Sequence, residues 1–98
     1  MVYNNNMIKS FKHKGLKKFY ESGSIRGIQP IHANRLSLLL ASLDAISQVD
    51  DLKSPSFRLH KLNDDKKDLW SITVQANWPI VFEFESGNVY VVDYLDYH

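Results

Sequence analysis

Leu69-Trp70-Ser71-Ile72-Thr73-Val74-Gln75-Ala76-Asn77-Trp78-Pro79-Ile80-Val81-Phe82-Glu83-Phe84 is the stretch that decides the fold. Trp70, Ile72 and Val74 recur at every second residue, which turns all three to one face of a pleated strand. Trp78, Ile80, Phe82 and Phe84 repeat that period after only Ala76-Asn77, a gap short enough to close an antiparallel hairpin. Glu85-Ser86-Gly87-Asn88 then supplies turn residues, with Gly87 free to adopt positive φ. Residues 89–94 are a third β-branched and aromatic run, and the chain ends shortly afterwards on Asp96-Tyr97-His98.

Working outward, Phe57-Arg58-Leu59-His60-Lys61-Leu62 alternates as well, with Phe57 and Leu59 expected toward the core and Arg58 and His60 away from it. Residues 63–67 form a wholly polar hairpin tip. Leu36, Leu39, Leu40, Leu43 and Ile46 follow helical spacing, so residues 31–48 are expected to form a long helix on the sheet, with Pro30 in its first turn. Residues 14–22 carry Leu16, Phe19 and Tyr20 at helical spacing before Gly23, a suitable residue for the helix end. Ile8 to Phe11 is a short strand candidate, and residues 1–6 are a polar lead-in, with Met7 a second possible start. The expected architecture is α+β: a short N-terminal strand, two helices, then a four-strand antiparallel meander, in one two-layer domain covering residues 1–98.

Ninety-eight residues suffice for one core without staples. The absence of cysteine excludes disulfides and thiolate metal sites. Residues 36–46 are too short an apolar run to span a membrane, and residues 1–10 lack the apolar core of a secretory signal, which leaves a soluble cytoplasmic protein as the expectation. The net charge of +1 conceals an asymmetry: residues 1–35 hold seven basic residues against one acid, a net +6, while residues 36–98 hold five against ten, a net −5. Such a layout describes a basic surface able to follow a phosphate backbone, and equally a solvated helix face.

His13, His32, His60 and His98 are the groups that titrate near neutral pH. The chain has no HExxH, no Gly-rich phosphate loop and no GxSxG, so zinc protease, nucleotide-binding and α/β-hydrolase chemistry have no support. His60 on one strand, with Asp96, Tyr97 and His98 at the end of another, suits general acid–base cleavage of RNA without metal. One group removes the 2′-OH proton, another protonates the leaving oxygen, and cations stabilise the phosphorane. Each residue also has a plain structural role open to it: His60 as a half-exposed strand residue, His98 as a chain end, Tyr97 as a rim aromatic. His13 and His32, in or near helices, and Trp70 and Trp78, on the apolar sheet face, are assigned to structure.

Residues 8–16 (Ile-Lys-Ser-Phe-Lys-His-Lys-Gly-Leu), Arg58-Leu59-His60, Trp70-Ser71-Ile72-Thr73-Val74, Ala76-Asn77-Trp78 and the terminal Asp96-Tyr97-His98 together resemble the HigB toxins of the RelE-like superfamily of type II toxin–antitoxin systems. The resemblance covers residues 7–98. It implies a microbial-ribonuclease/RelE-like fold and an mRNA interferase, an endoribonuclease acting on mRNA in the ribosomal A site. His60, Asp96, Tyr97 and His98 match the family's catalytic positions, with no cofactor and no metal. The implied partners are the ribosome, its A-site mRNA and a HigA-type helix-turn-helix antitoxin, with DNA reached only through that antitoxin and no membrane. Candidate RNA or ribosome contacts are Lys9, Lys12, Lys14, Lys17, Lys18, Arg58, Lys61, Lys66 and Lys67. Pro79, Gln75 and Asn63 depart from the family by standing where relatives carry cations. Pro79 also removes a ladder N–H, so an edge or a bulge is expected beside it. The alternative that follows from the three departures is a catalytically weakened homologue that binds an antitoxin and regulates its operon.

Overall fold

In the computed structural model, residues 6–62 and 68–96 are described. Helix α1 spans Lys14–Ser22 and α2 spans Ala33–Ala45; strands β1 (His60–Lys61), β2 (Leu69–Gln75), β3 (Trp78–Glu85) and β4 (Asn88–Tyr94) follow. The strands form one sheet in the order β1-β2-β3-β4, each pair antiparallel, as the period-two pattern required. Ser86 and Gly87, both at positive φ, close the β3–β4 turn with the twist that a tight hairpin needs. The helices cover one sheet face. Leu16 and Phe19 of α1 and Leu36, Leu39, Leu40 and Leu43 of α2 are buried with Ile72, Val74, Ile80, Phe82, Val89 and Val92.

Local chemistry sets the helix ends. The His13 Nδ1 accepts the Leu16 N–H at 2.9 Å and caps α1, while Gly23 at φ 78° ends it by donating its N–H to the Phe19 carbonyl at 2.8 Å. The long helix is shorter than the apolar spacing suggests. Pro30 to His32 make a 3-10 turn, α2 ends at Ala45, and Ile46 is buried beyond the end in extended backbone. Asp44 ties three segments together, accepting the Tyr20 hydroxyl from α1 at 2.5 Å and the Ile8 N–H at 3.1 Å.

The first strand of the meander also shrinks, to His60–Lys61. Pro55 opens a 3-10 turn through Phe57, and Arg58 then takes a left-handed backbone, φ 50°, which no ladder accepts. The free edge of β2 beyond Ser71 is met instead by Arg35, whose guanidinium donates to the Thr73 and Ser56 carbonyls and lies over the Phe57 ring. Phe57 and Leu59 still pack on the core, and Arg58 and His60 are exposed. The N-terminal strand survives as two parallel bridges, Ile8 to Val89 and Phe11 to Val92. A bulge in β4 interrupts them: Val91 sits at φ 47° and donates its N–H to the Ser10 hydroxyl at 2.8 Å.

Candidate active site

Alternation divides the sheet into a core face and a face turned away from the helices. Ile72, Ile80 and Phe82 take the core face. His60 pairs with Ser71, Ser71 with Val81, and Val81 with Asp93, and directly opposed residues share a side of the sheet. One row therefore crosses the outer face from His60 on the edge strand to Asp93 on the far strand. Three interstrand steps of about 4.8 Å separate the ends of the row by roughly 14 Å at Cα. The next row holds Thr73 and Pro79. Asp96 follows Asp93 by three residues, past the end of β4, and is exposed. Tyr97 and His98, like Asn63, Lys66 and Lys67, lie outside the described residues.

The outer face is acidic. Glu83 and Asp93 stand on it, and β2, β3 and β4 contain no Lys or Arg at all. Asp93 accepts the Tyr94 N–H at 3.0 Å, which orients its carboxylate along its own chain. Pro79 shares the side of Val81 and so of His60. The register of β2 shifts between Thr73 and Gln75, so the expected irregularity beside the proline is present as a bulge. On the other side Leu95 donates its N–H to the Pro79 carbonyl at 3.1 Å, and Pro79 has no N–H to give back.

The other candidate cations lie elsewhere. Lys61 pairs with Trp70 and so points to the opposite side from His60, with its ammonium 3.5 Å from Asp68 and 5.7 Å from the Trp70 ring centre. Arg58 is exposed two residues before His60. Lys9 and Lys12 are exposed on the N-terminal segment, and Lys14, Lys17 and Lys18 share one exposed stripe of α1, on the helix layer rather than the outer sheet face. Gln75 does not join the His60 face. Its Oε1 lies 2.7 Å from the His32 Nε2, and the His32 Nδ1 lies 2.6 Å from the Tyr94 hydroxyl.

That network could not be found from spacing, since Gln29, His32, Gln75, Trp78 and Tyr94 come from four segments. The signal that was present is a histidine followed after three residues by the apolar positions of α2, which puts it at the buried start of a helix. Tyr94 also accepts the Gln29 N–H at 3.3 Å and packs its ring against Trp78 at 5.0 Å and against the edge of His13 at 5.3 Å. Burial holds the Tyr94 hydroxyl above the ordinary phenol range; the Gln29 hydrogen bond opposes this and the charge of Asp96 adds to it. It is a proton donor at neutral pH.

The model of a family described as RelE-like toxin of type II toxin–antitoxin system HigB matches residues 9–98. A curated relative, endoribonuclease HigB of Proteus vulgaris, is 42% identical over 92 residues, which is 94% of this chain and 100% of the relative.

Proposed function

Because the chain belongs to the HigB family of RelE-like toxins of type II toxin–antitoxin systems, we propose that it is an endoribonuclease that cleaves mRNA in the ribosomal A site, in the cytoplasm, and that a HigA-type helix-turn-helix antitoxin neutralises it. The observation that carries this reading is the row across the outer sheet face, with His60 at one side and the strand that leads to Asp96, Tyr97 and His98 at the other. RNA laid across the row meets the His60 imidazole on one flank and β4, the strand that leads into the terminal residues, on the other. Of that imidazole and the terminal side chains, one takes the 2′-OH proton as that oxygen attacks the adjacent phosphorus, and the other protonates the departing 5′-oxygen, leaving a 2′,3′-cyclic phosphate. Tyr97 orients or stacks on the base. Arg58, Lys66 and Lys67 are further cations close in sequence to His60, and Lys9, Lys12, Lys14, Lys17 and Lys18 offer a separate basic surface to ribosomal RNA.

A second reading rests on the outer face itself, where Pro79 stands beside Glu83 and Asp93 on strands without a cation. Loss of one preorganised cation costs roughly 10² to 10³ in rate, and such a chain would serve as an antitoxin-binding, operon-regulating module. Cleavage of mRNA on programmed ribosomes separates the two. The unaltered chain is expected to cut, and His60→Ala and His98→Ala to lose about 10² to 10⁴ of the rate. Cutting by Pro79→Arg alone would overturn the first reading in favour of the second.

A further inference from the structure

We propose that His32 is a positioning residue for the C-terminal tail, tying the end of β4 to the β2–β3 turn and so setting where Asp96 leaves the sheet; this rests on the reading that the tail is catalytic. His32 is 3% exposed and is the one buried polar side chain among the described residues. It lies at the start of α2 against the Trp78 and Tyr94 rings, where a buried unpaired imidazole would be strongly unfavourable. Both ring nitrogens are satisfied, and the partners fix the tautomer. The Gln75 Oε1 can only accept, which places a ring proton on Nε2; in that tautomer Nδ1 accepts the proton of the Tyr94 hydroxyl, whose oxygen accepts the Gln29 N–H.

The tail needs this anchorage because of Pro79. Beyond Tyr94 the ladder continues with the Leu95 N–H on the Pro79 carbonyl, and the return bond is missing. Tyr94, the last residue of β4 and two before Asp96, compensates through its side chain: the His32 and Gln29 hydrogen bonds and the Trp78, His13 and His32 rings hold it. His32 in turn reaches Gln75 at the end of β2 and sets its ring edge-on to Trp78 at 5.0 Å. Side chains from β2, β3, β4 and the start of α2 thus meet at the point where backbone pairing weakens.

The test compares His32→Leu, His32→Gln and Tyr94→Phe with the unaltered chain. In His32→Leu the Leu95 amide is expected to lose about tenfold of its hydrogen-exchange protection relative to the Ile80 and Phe82 amides. Its kcat for cleavage on programmed ribosomes is expected to fall about 10²-fold with little change in KM, the signature of misplacement without lost binding. Glutamine has an acceptor and a donor at nearly the spacing of the two ring nitrogens, so His32→Gln should restore both quantities. Unchanged Leu95 protection, unchanged kcat, or a defect that glutamine does not repair would each overturn the proposal. Should His32→Leu fail to fold, Tyr94→Phe removes only the hydroxyl and is expected to lower the same two quantities; if it lowers neither, the proposal fails. If the unaltered chain does not cleave, the catalytic reading fails, while Leu95 exchange still decides whether His32 positions the tail.

Discussion

Replacing Tyr20 by Phe isolates one hydrogen bond that joins the two helices, at the carboxylate that also holds the N-terminal segment. The Tyr20 hydroxyl donates to the Asp44 Oδ2 at 2.5 Å, and the Oδ1 accepts the Ile8 N–H at 3.1 Å, so a single carboxylate joins α1, α2 and the segment bridged to β4. Phenylalanine keeps the ring and its contact with Phe11, whose centroid is 5.1 Å away. A hydrogen bond to a charged acceptor contributes about 1.5–3 kcal/mol. The pair is half-buried and Asp44 keeps its other bond, which places the loss at the lower end, about 1.5 kcal/mol. At roughly 4–8 °C per kcal/mol for a chain of this size, Tm should fall by about 6–12 °C. Thermal denaturation by circular dichroism at neutral pH measures this, with Asp44→Asn and the double variant completing a cycle. Burial, followed by the Asp44 hydrogen bond and charge, raises the folded-state pKa of Tyr20 above its ordinary value. Its contribution is therefore complete below about pH 10 and is lost as pH rises through the folded value, so Tyr20→Phe should also flatten the alkaline decline in stability. Tyr94, shifted the same way, leaves part of that decline in place. A Tm change under about 2 °C, or a cycle with no coupling between the two residues, would refute the reasoning.

Val91→Asn should raise Tm, because a β-branched residue at φ 47° is strained by about 1–2 kcal/mol and asparagine tolerates that backbone; an unchanged or lower Tm counts against the strain. Gly15→Ala should destabilise by about 1–3 kcal/mol in urea unfolding, although alanine is the better helix former, since its Cβ would lie 2.8 Å from both the Cα and the carbonyl oxygen of Gly27. Changing Lys14, Lys17 and Lys18 together to Gln should leave the fold intact, as these charges sit in the first half of α1 where the helix dipole disfavours them. The same change should reduce the salt slope of ribosome or RNA binding by about 2, at roughly 0.7 for each lost phosphate contact; an unchanged slope would remove that stripe from the interface.

Local patterns in the chain determined the meander, the buried stripe of α2 and the ends of α1. Period and capping depend on residues within a turn or two of each other, so these elements formed where the pattern placed them, apart from the first strand of the meander. The pairing of His60 with Ser71 and the side it shares with Pro79 needed the strand register, which a one-residue bulge changes. Arg58 entering a left-handed backbone, with Arg35 covering the β2 edge, cut the first strand of the meander to two residues; alternation alone carried no sign of either. Gln75 illustrates the division most clearly. The resemblance marks its position as one where relatives carry a cation, and in the fold it follows the bulge beside Pro79 with its Oε1 on the His32 Nε2. Only the tertiary structure could join His32, Gln75 and Tyr94, because a hydrogen bond between residues 43 and 62 positions apart is set by how the layers pack and leaves no periodic trace in the chain.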